Sequence, residues 1–191
     1  MIPITDDVAS RIQVIKADIT TLAVDAVVSS ANADLTGGGA VDQAIHHVAG
    51  PGLRKACHQY VEQQGRCFAG GASITEGFKL PARYVIHAVG PVWCGGEDGE
   101  AALLARCYAR SFELARLRNL QTIAFSSIST GQYHFPKDVA ALVALHVAVQ
   151  VLEMDTNFKT VVFCVFDDEN KKIYENLIKE GRALAKEEAA A

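Results

Sequence analysis

The residues best suited to chemistry lie in two short stretches, Asn32 to Asp42 and Ser129 to Pro136. Each follows an apolar β-like run and precedes a helix-like one. The first stretch carries Gly37, Gly38 and Gly39 in succession, where the main chain can approach a ligand that a β-carbon would repel. A helix starting near Ala40 presents unpaired N–H groups and a partial positive charge at its first turn. An anion placed there is held without a cationic side chain. No lysine or arginine lies between Lys16 and Arg54. The second stretch, Ser129, Thr130, Gly131, Gln132, Tyr133, His134, Phe135 and Pro136, repeats the device ahead of a helix starting near Lys137. A charge-assisted hydrogen bond contributes about 1.5–3 kcal/mol, and micromolar affinity needs about 8 kcal/mol. Several amides from the two loops therefore suffice for a diphosphate.

Positioning two such loops side by side requires a particular scaffold. Strand-like runs at Ile12 to Lys16, Ala26 to Ser29, Ala72 to Thr75, Tyr84 to Ala88, Thr122 to Phe125 and Thr160 to Val165 alternate with helix-like segments. Those fall at Val41 to Val48, Gly52 to Gln63, Ala101 to Arg118, Lys137 to Met154 and Asp168 to Glu180. The run Val161 to Phe166 is apolar at every position, as a strand covered on both faces requires. An α/β sheet with helices on both sides follows, and its ligands sit beyond the carboxyl ends of the strands. Both glycine loops belong to that rim. So do Asp18, with Ile19 beside it, after the first strand, and Phe166 after the last. A carboxylate accepts from an exocyclic amine and an aromatic ring stacks on a base, so Asp18 and Phe166 suit an adenine.

The chain has 191 residues, half of them hydrophobic, with no Ser-, Pro- or charge-rich linker, which points to one domain. A net charge of −4 disfavours a general nucleic-acid or membrane-surface binder. The five cysteines are odd in number and form no CxxC pair, which fits reduced thiols and a cytoplasmic location. Neither a leader peptide nor a membrane-spanning run is expected. His46 and His47 share a helix and read as structural, with one facing the packing. His87 reads as buried and hydrogen-bonded, and Trp93 as packing. No set of His, Cys and carboxylate residues has metal-ligand spacing, so no metal is expected. Cys94 lacks an activating neighbour.

The segments VDAVVSSANADLTGGGAVDQAIHHVAG, LPARYVIHAVGPVW and IAFSSISTGQYHFP together resemble a macrodomain of the MacroD type, and the likeness runs from Arg11 to Glu180. The resemblance implies a three-layer α/β/α domain over residues 11–180, with a mixed, mostly parallel sheet. Residues 1–10 are then an N-terminal extension and 181–191 a frayed tail. It implies ADP-ribose as ligand, no cofactor and a monomer. The implied activity is hydrolysis of ADP-ribose from mono-ADP-ribosylated Asp or Glu side chains of proteins, or deacetylation of O-acetyl-ADP-ribose. Carried over by position, Asp18 holds the adenine amine and Phe166 lies beside the base. Gly37, Gly38, Gly39, Ala40 and Val41 form the first loop. Ser129, Thr130, Gly131, Gln132 and Tyr133 form the second, whose amides bind the diphosphate. Asn32 and Asp42 are the pair beside the distal ribose linked with hydrolysis.

Four positions depart from the family pattern. The usual NAAN reads Ser29, Ser30, Ala31, Asn32, the fourth glycine of the first loop is Ala40, and His134 stands where glycine is usual. A histidine with positive φ is strained, and its ring could reach the distal ribose. Read without the family, Asp42 is a first-turn capping residue, Asn32 a turn former, Asp18 a cap and Phe166 plain core. A binding module that reads ADP-ribose without turnover would use the same pocket. A nicotinamide-dependent oxidoreductase is weaker, because no GxGxxG opens the first strand-to-helix turn.

Overall fold

The sheet grows from strands whose successive residues serve two different cores. A computed structural model describes residues 2–190. Its strands are β1 (Ile12–Lys16), β2 (Ala26–Ser30), β3 (Gly71–Glu76), β4 (Tyr84–Val89), β5 (Thr122–Phe125) and β6 (Thr160–Val165). They form one six-stranded sheet in the order β1-β6-β5-β2-β4-β3. All neighbours pair in parallel except β3, which runs antiparallel to β4 at the edge. This is the mixed, mostly parallel sheet that the sequence implied.

The helices are α1 (Asp6–Ser10), α2 (Ala40–Ala49), α3 (Pro51–Gln64), α4 (Glu100–Arg116), α5 (Lys137–Met154) and α6 (Asp168–Ala190), with a 3₁₀ turn at Ile19–Thr21. Side chains alternate across a strand, so each strand feeds both faces. Val28, Ile86, Phe125 and Phe163 join the core under α4, α5 and α6. Val27, Val85, Ala124 and Val162 join the core under α2 and α3. The result is three layers with β2 near the centre. No helix among the described residues is long and apolar enough to cross a membrane.

The ends of the chain differ from the sequence reading. Thr5 Oγ1 accepts from the Val8 amide and starts α1, whose Val8 is buried in the core. Residues before Arg11 are therefore part of the packing. Helix α6 continues through Glu180 to Ala190, because Gly181 is buried against Ile4 and its carbonyl accepts from the Ile4 amide at 2.9 Å. Arg182 forks onto Asp6 at 3.0 and 2.6 Å. The remainder of α6 is rich in Ala, Lys and Glu, which favour helix even where exposed.

Candidate functional site

The carboxyl ends of β1, β2, β5 and β6 open into a cleft of about 970 Å³. Its lining includes every residue the sequence nominated: Asp18, Ile19, Asn32, Gly37 to Asp42, Ser129 to Tyr133 and Phe166. It also includes residues that the sequence did not nominate, among them Lys16, Ser30, Lys137, Asp167 and Asn170. Ser30 sits inside the first motif, and the other four lie outside the three motifs and carry no local signal of their own.

Most main-chain donors of the two loops have no internal use. The amides of Gly37, Gly39, Ala40 and Val41 make no hydrogen bond among the described residues, and neither do those of Thr130, Gly131, Gln132 and Tyr133. Two amides expected in the clamp are committed elsewhere. Gly38 N donates to Asp42 Oδ2 at 2.7 Å, and Ser129 N donates to Ser30 Oγ at 3.1 Å. At Gly38 a β-carbon would lie 3.2 Å from both Cβ and N of Asn32, so any larger residue would press on the Asn32 turn. Neither Lys16 nor Lys137 is a free cation: Lys16 pairs with Asp168 at 2.8 Å, and Lys137 with Asp167 at 2.9 Å and Glu169 at 2.6 Å. Hydrogen bonds to Asp167 and Glu169 hold the Lys137 ammonium above its ordinary pKa.

At one end of the cleft, Asp18 Oδ1 accepts from Thr20 N at 2.9 Å and from Thr20 Oγ1 at 2.7 Å, capping the 3₁₀ turn. Those bonds, the hydroxyl's first, hold its carboxyl below the ordinary pKa. Oδ2 remains for an incoming donor. Phe166 is 86% exposed, which removes the plain-core reading and leaves its ring open for stacking. Asn170 backs this end, donating from Nδ2 to Ser127 Oγ at 2.8 Å.

At the other end, Asn32 folds onto its own turn. Its Oδ1 accepts from Thr36 N and its Nδ2 donates to Thr36 Oγ1, both at 2.9 Å. One amide proton is left over. Asp42 sits in the first turn of α2 with 0% exposure, and its Oδ1 accepts from Ser29 Oγ at 2.6 Å. With Gly38 on Oδ2, each oxygen keeps one further lone pair. Asp42 thus braces the first loop from a position in the cleft lining.

Behind Asp42, three side chains far apart in sequence meet. His46, Cys57 and His87 place ligand-capable atoms within 4.8 Å of one another, a convergence that linear spacing concealed and that corrects the expectation of no such set. His87 Nε2 lies 2.9 Å from Thr75 Oγ1 and 3.6 Å from Cys57 Sγ. Burial pushes the Cys57 thiol up to about 12 and the His87 imidazolium down to about 3, so the protein alone holds both groups neutral. His46 is buried too, and desolvation lowers its pKa against the pull of Asp42. Its ring nitrogens have no hydrogen-bond partner, and Nε2 stands 3.8 Å from Asp42 Oδ1. It is therefore structural but not satisfied. His47 is exposed.

Comparison with known proteins fits this geometry. The Macro domain family model matches residues 28–144. A Macro domain-containing protein of Chlorobaculum tepidum is 48% identical over 170 residues, covering 89% of this chain and 96% of its own length. The chain belongs to the Macro domain family. The O-acetyl-ADP-ribose deacetylase of Citrobacter rodentium is 46% identical to this macrodomain over 169 residues, 88% of this chain and 96% of that protein. The Trypanosoma brucei macrodomain solved in complex with ADP-ribose superposes with a TM-score of 0.82 at 34% identity, covering 92% of this chain and 77% of that one.

Within the macrodomain, the departures have distinct consequences. His134 has φ 54°, the strained left-handed region, yet it is exposed and absent from the cleft lining, so its ring does not intrude on the ligand space. Trp93 packs on Phe135 with centroids 4.7 Å apart and ring planes tilted by 57°, and its amide donates to Tyr133 O at 2.9 Å, buttressing the second loop from outside. Cys94 is exposed. Its amide, with those of Gly96 and Asp98, donates to the buried Glu100 carboxylate, a brace that no motif announced.

Proposed function

We propose that this macrodomain binds ADP-ribose and hydrolyses ADP-ribosyl esters, either on Asp and Glu side chains of modified proteins or in O-acetyl-ADP-ribose. The observation that carries the reading is the pair of loops on one cleft with unpaired amides, those of Gly37, Gly39, Ala40 and Val41 in the first and of Thr130 to Tyr133 in the second. Asp18 Oδ2 and the open face of Phe166 receive the adenine, the amides receive the diphosphate, and the distal ribose lies at Asn32 and Asp42. The leftover Asn32 amide proton donates to a ribose hydroxyl. The spare lone pairs of Asp42 orient a water toward the ester carbon or the anomeric carbon. Water oxygen forms the new bond as the C–O bond breaks and gives a proton to a substrate phosphate oxygen: attack at the anomeric carbon expels the carboxylate, and attack at the ester carbon expels the ribose oxygen, which takes that proton back from the phosphate to leave as the hydroxyl. Asp42 acts by positioning, because fixed donors from Ser29 and Gly38 hold both of its oxygens in place.

Support comes also from the relatives: one is named for O-acetyl-ADP-ribose deacetylation, and another was solved with ADP-ribose. A second reading, a non-catalytic ADP-ribose reader, draws on the complete burial of Asp42. Calorimetric titration with ADP-ribose, together with release assays on a mono-ADP-ribosylated glutamate peptide and on O-acetyl-ADP-ribose, separates the two. Micromolar binding with release from at least one ester is the expected outcome. Binding without release from either ester leaves only the reader, and no binding refutes both.

A further inference from the structure

The strand β2 ends in two adjacent serines, and each of them reaches a different wall of the cleft. Neighbouring residues on a strand project to opposite faces, so Ser29 points with Val27 toward α2 and Ser30 points with Val28 toward the other layer. Ser29 is completely buried and spends its hydroxyl proton on Asp42 Oδ1 at 2.6 Å. Ser30 lines the cleft and accepts from Ser129 N at 3.1 Å.

We infer that Ser29 and Ser30 are positioning residues that divide the work of the site: Ser29 fixes the Asp42 carboxylate for turnover, and Ser30 fixes the second loop for nucleotide binding. The Ser29 half rests on the hydrolase reading, whereas the Ser30 half requires only that the cleft binds ADP-ribose.

For Ser29 the argument is one of rotational freedom. A carboxylate held by one donor can swing about its side-chain torsions. Gly38 N on Oδ2 and Ser29 Oγ on Oδ1 hold Asp42 at both ends, and the nearest alternative donor, His46 Nε2, stands too far away at 3.8 Å. Removing the Ser29 hydroxyl frees the oxygen that aims water while leaving the amide clamp untouched.

For Ser30 the argument starts from strain. Ser129 has φ 65°, which an L residue adopts only when its surroundings impose it. Its hydroxyl is packed against Gly90, where any β-carbon would collide with it, and finds no hydrogen-bond partner. The Ser30 hydroxyl holds the Ser129 amide, so that the amides from Thr130 to Tyr133 stay uncommitted. Its own proton meets no protein acceptor among the described residues and is available to a phosphate oxygen. The alanine that the NAAN pattern has at this position offers neither bond.

The test compares wild type, S29A, S29T and S30A in the full chain. ADP-ribose Kd is measured by calorimetry, kcat and KM are measured with O-acetyl-ADP-ribose, and folding is checked by thermal melts. For S29A, kcat is expected to fall about tenfold or more with Kd within about twofold, and S29T, which keeps the hydroxyl, restores kcat. For S30A, Kd and KM rise about tenfold or more, the loss expected for a hydrogen bond to a charged group, while kcat falls less than Kd rises. Unchanged kcat in S29A overturns the Ser29 half, and unchanged Kd in S30A overturns the Ser30 half. Parallel losses in both variants overturn the division of work. Should S29A fail to fold, S29C, which keeps the volume but donates weakly, carries the same expectation. A wild type that binds but releases nothing refutes the hydrolase reading and the Ser29 half with it. The Ser30 half is then decided by calorimetry alone.

Discussion

Replacing Asp42 by asparagine separates what this side chain does for folding from what it does for a reaction. In the native protein its two oxygens accept from Ser29 Oγ and Gly38 N inside a region with no exposure. Alanine would strand both donors at about 1–3 kcal/mol each, a large part of the stability of an ordinary domain. Asparagine keeps the volume. Its oxygen can still accept from Gly38 N, and its NH₂ can donate to Ser29 Oγ, whose proton then turns away. The D42N protein is therefore expected to fold, with a destabilisation of about 1–2 kcal/mol from exchanging a charged acceptor for a neutral one. ADP-ribose affinity should stay within about threefold, because the clamp amides are backbone groups on other residues. Turnover should fall by about 10²–10³, since the spare lone pair that aims water is replaced by a donor. Urea unfolding, calorimetry and steady-state hydrolysis of O-acetyl-ADP-ribose measure the three quantities. A D42N protein that hydrolyses the ester within a few fold of wild type would refute water positioning by Asp42. Equal losses of binding and turnover would make the residue a support of the first loop.

Local pattern carried the scaffold into the sequence: six strand-like runs, five helix-like ones and the two glycine-bearing bends are all features that neighbouring residues define. The cleft followed because every strand-to-helix bend of a parallel sheet opens at the same rim, which brings Asp18, Asn32, Gly131 and Phe166 together. What stayed hidden depends on contacts between distant residues. Helix α1 is short and is fixed by packing of Val8 rather than by its own periodicity. No spacing rule joins His46, Cys57 and His87, which approach one another only because α2 and α3 lie over β4. The amides of Gly38 and Ser129 looked equivalent to their neighbours, and only the side chains of Asp42 and Ser30 distinguish them. For the same reason the place of His134, outside the cleft lining, emerged only from the direction of the loop.

Other perturbations probe the remaining parts of this account. D18A removes the Oδ2 acceptor assigned to adenine along with a 3₁₀ cap. It should cost about 1 kcal/mol of stability and weaken ADP-ribose about tenfold while leaving affinity for ribose 5-phosphate unchanged, as calorimetry with both ligands would reveal. His87 is held neutral with a pKa near 3 against 6.5 in an unfolded chain, so the unfolded state binds the extra proton first as pH falls. Its contribution is complete above pH 6.5 and is lost on the way down to about pH 3, at about 1.4 kcal/mol per pH unit. Urea midpoints between pH 7 and 4.5 should therefore fall more steeply for wild type than for H87Q, and equal slopes would mean that the ring is not buried as a base. Truncation after Glu180 tests the end of α6. It deletes the Gly181 carbonyl that accepts from Ile4 N and the surface against which the 1%-exposed Ile4 packs, so about 1.5–3 kcal/mol of burial is at stake. The exposed Arg182–Asp6 pair adds little. Truncation after Lys186 removes, among the described residues, only the exposed Glu187 to Ala190 and should be neutral. From Asn170 at the cleft, α6 rises about 1.5 Å per residue, which puts Gly181 roughly 16 Å away. Truncation after Glu180 should therefore lower the melting temperature without changing the Kd for ADP-ribose, and a protein of unaltered stability would show that the residues after Glu180 are dispensable.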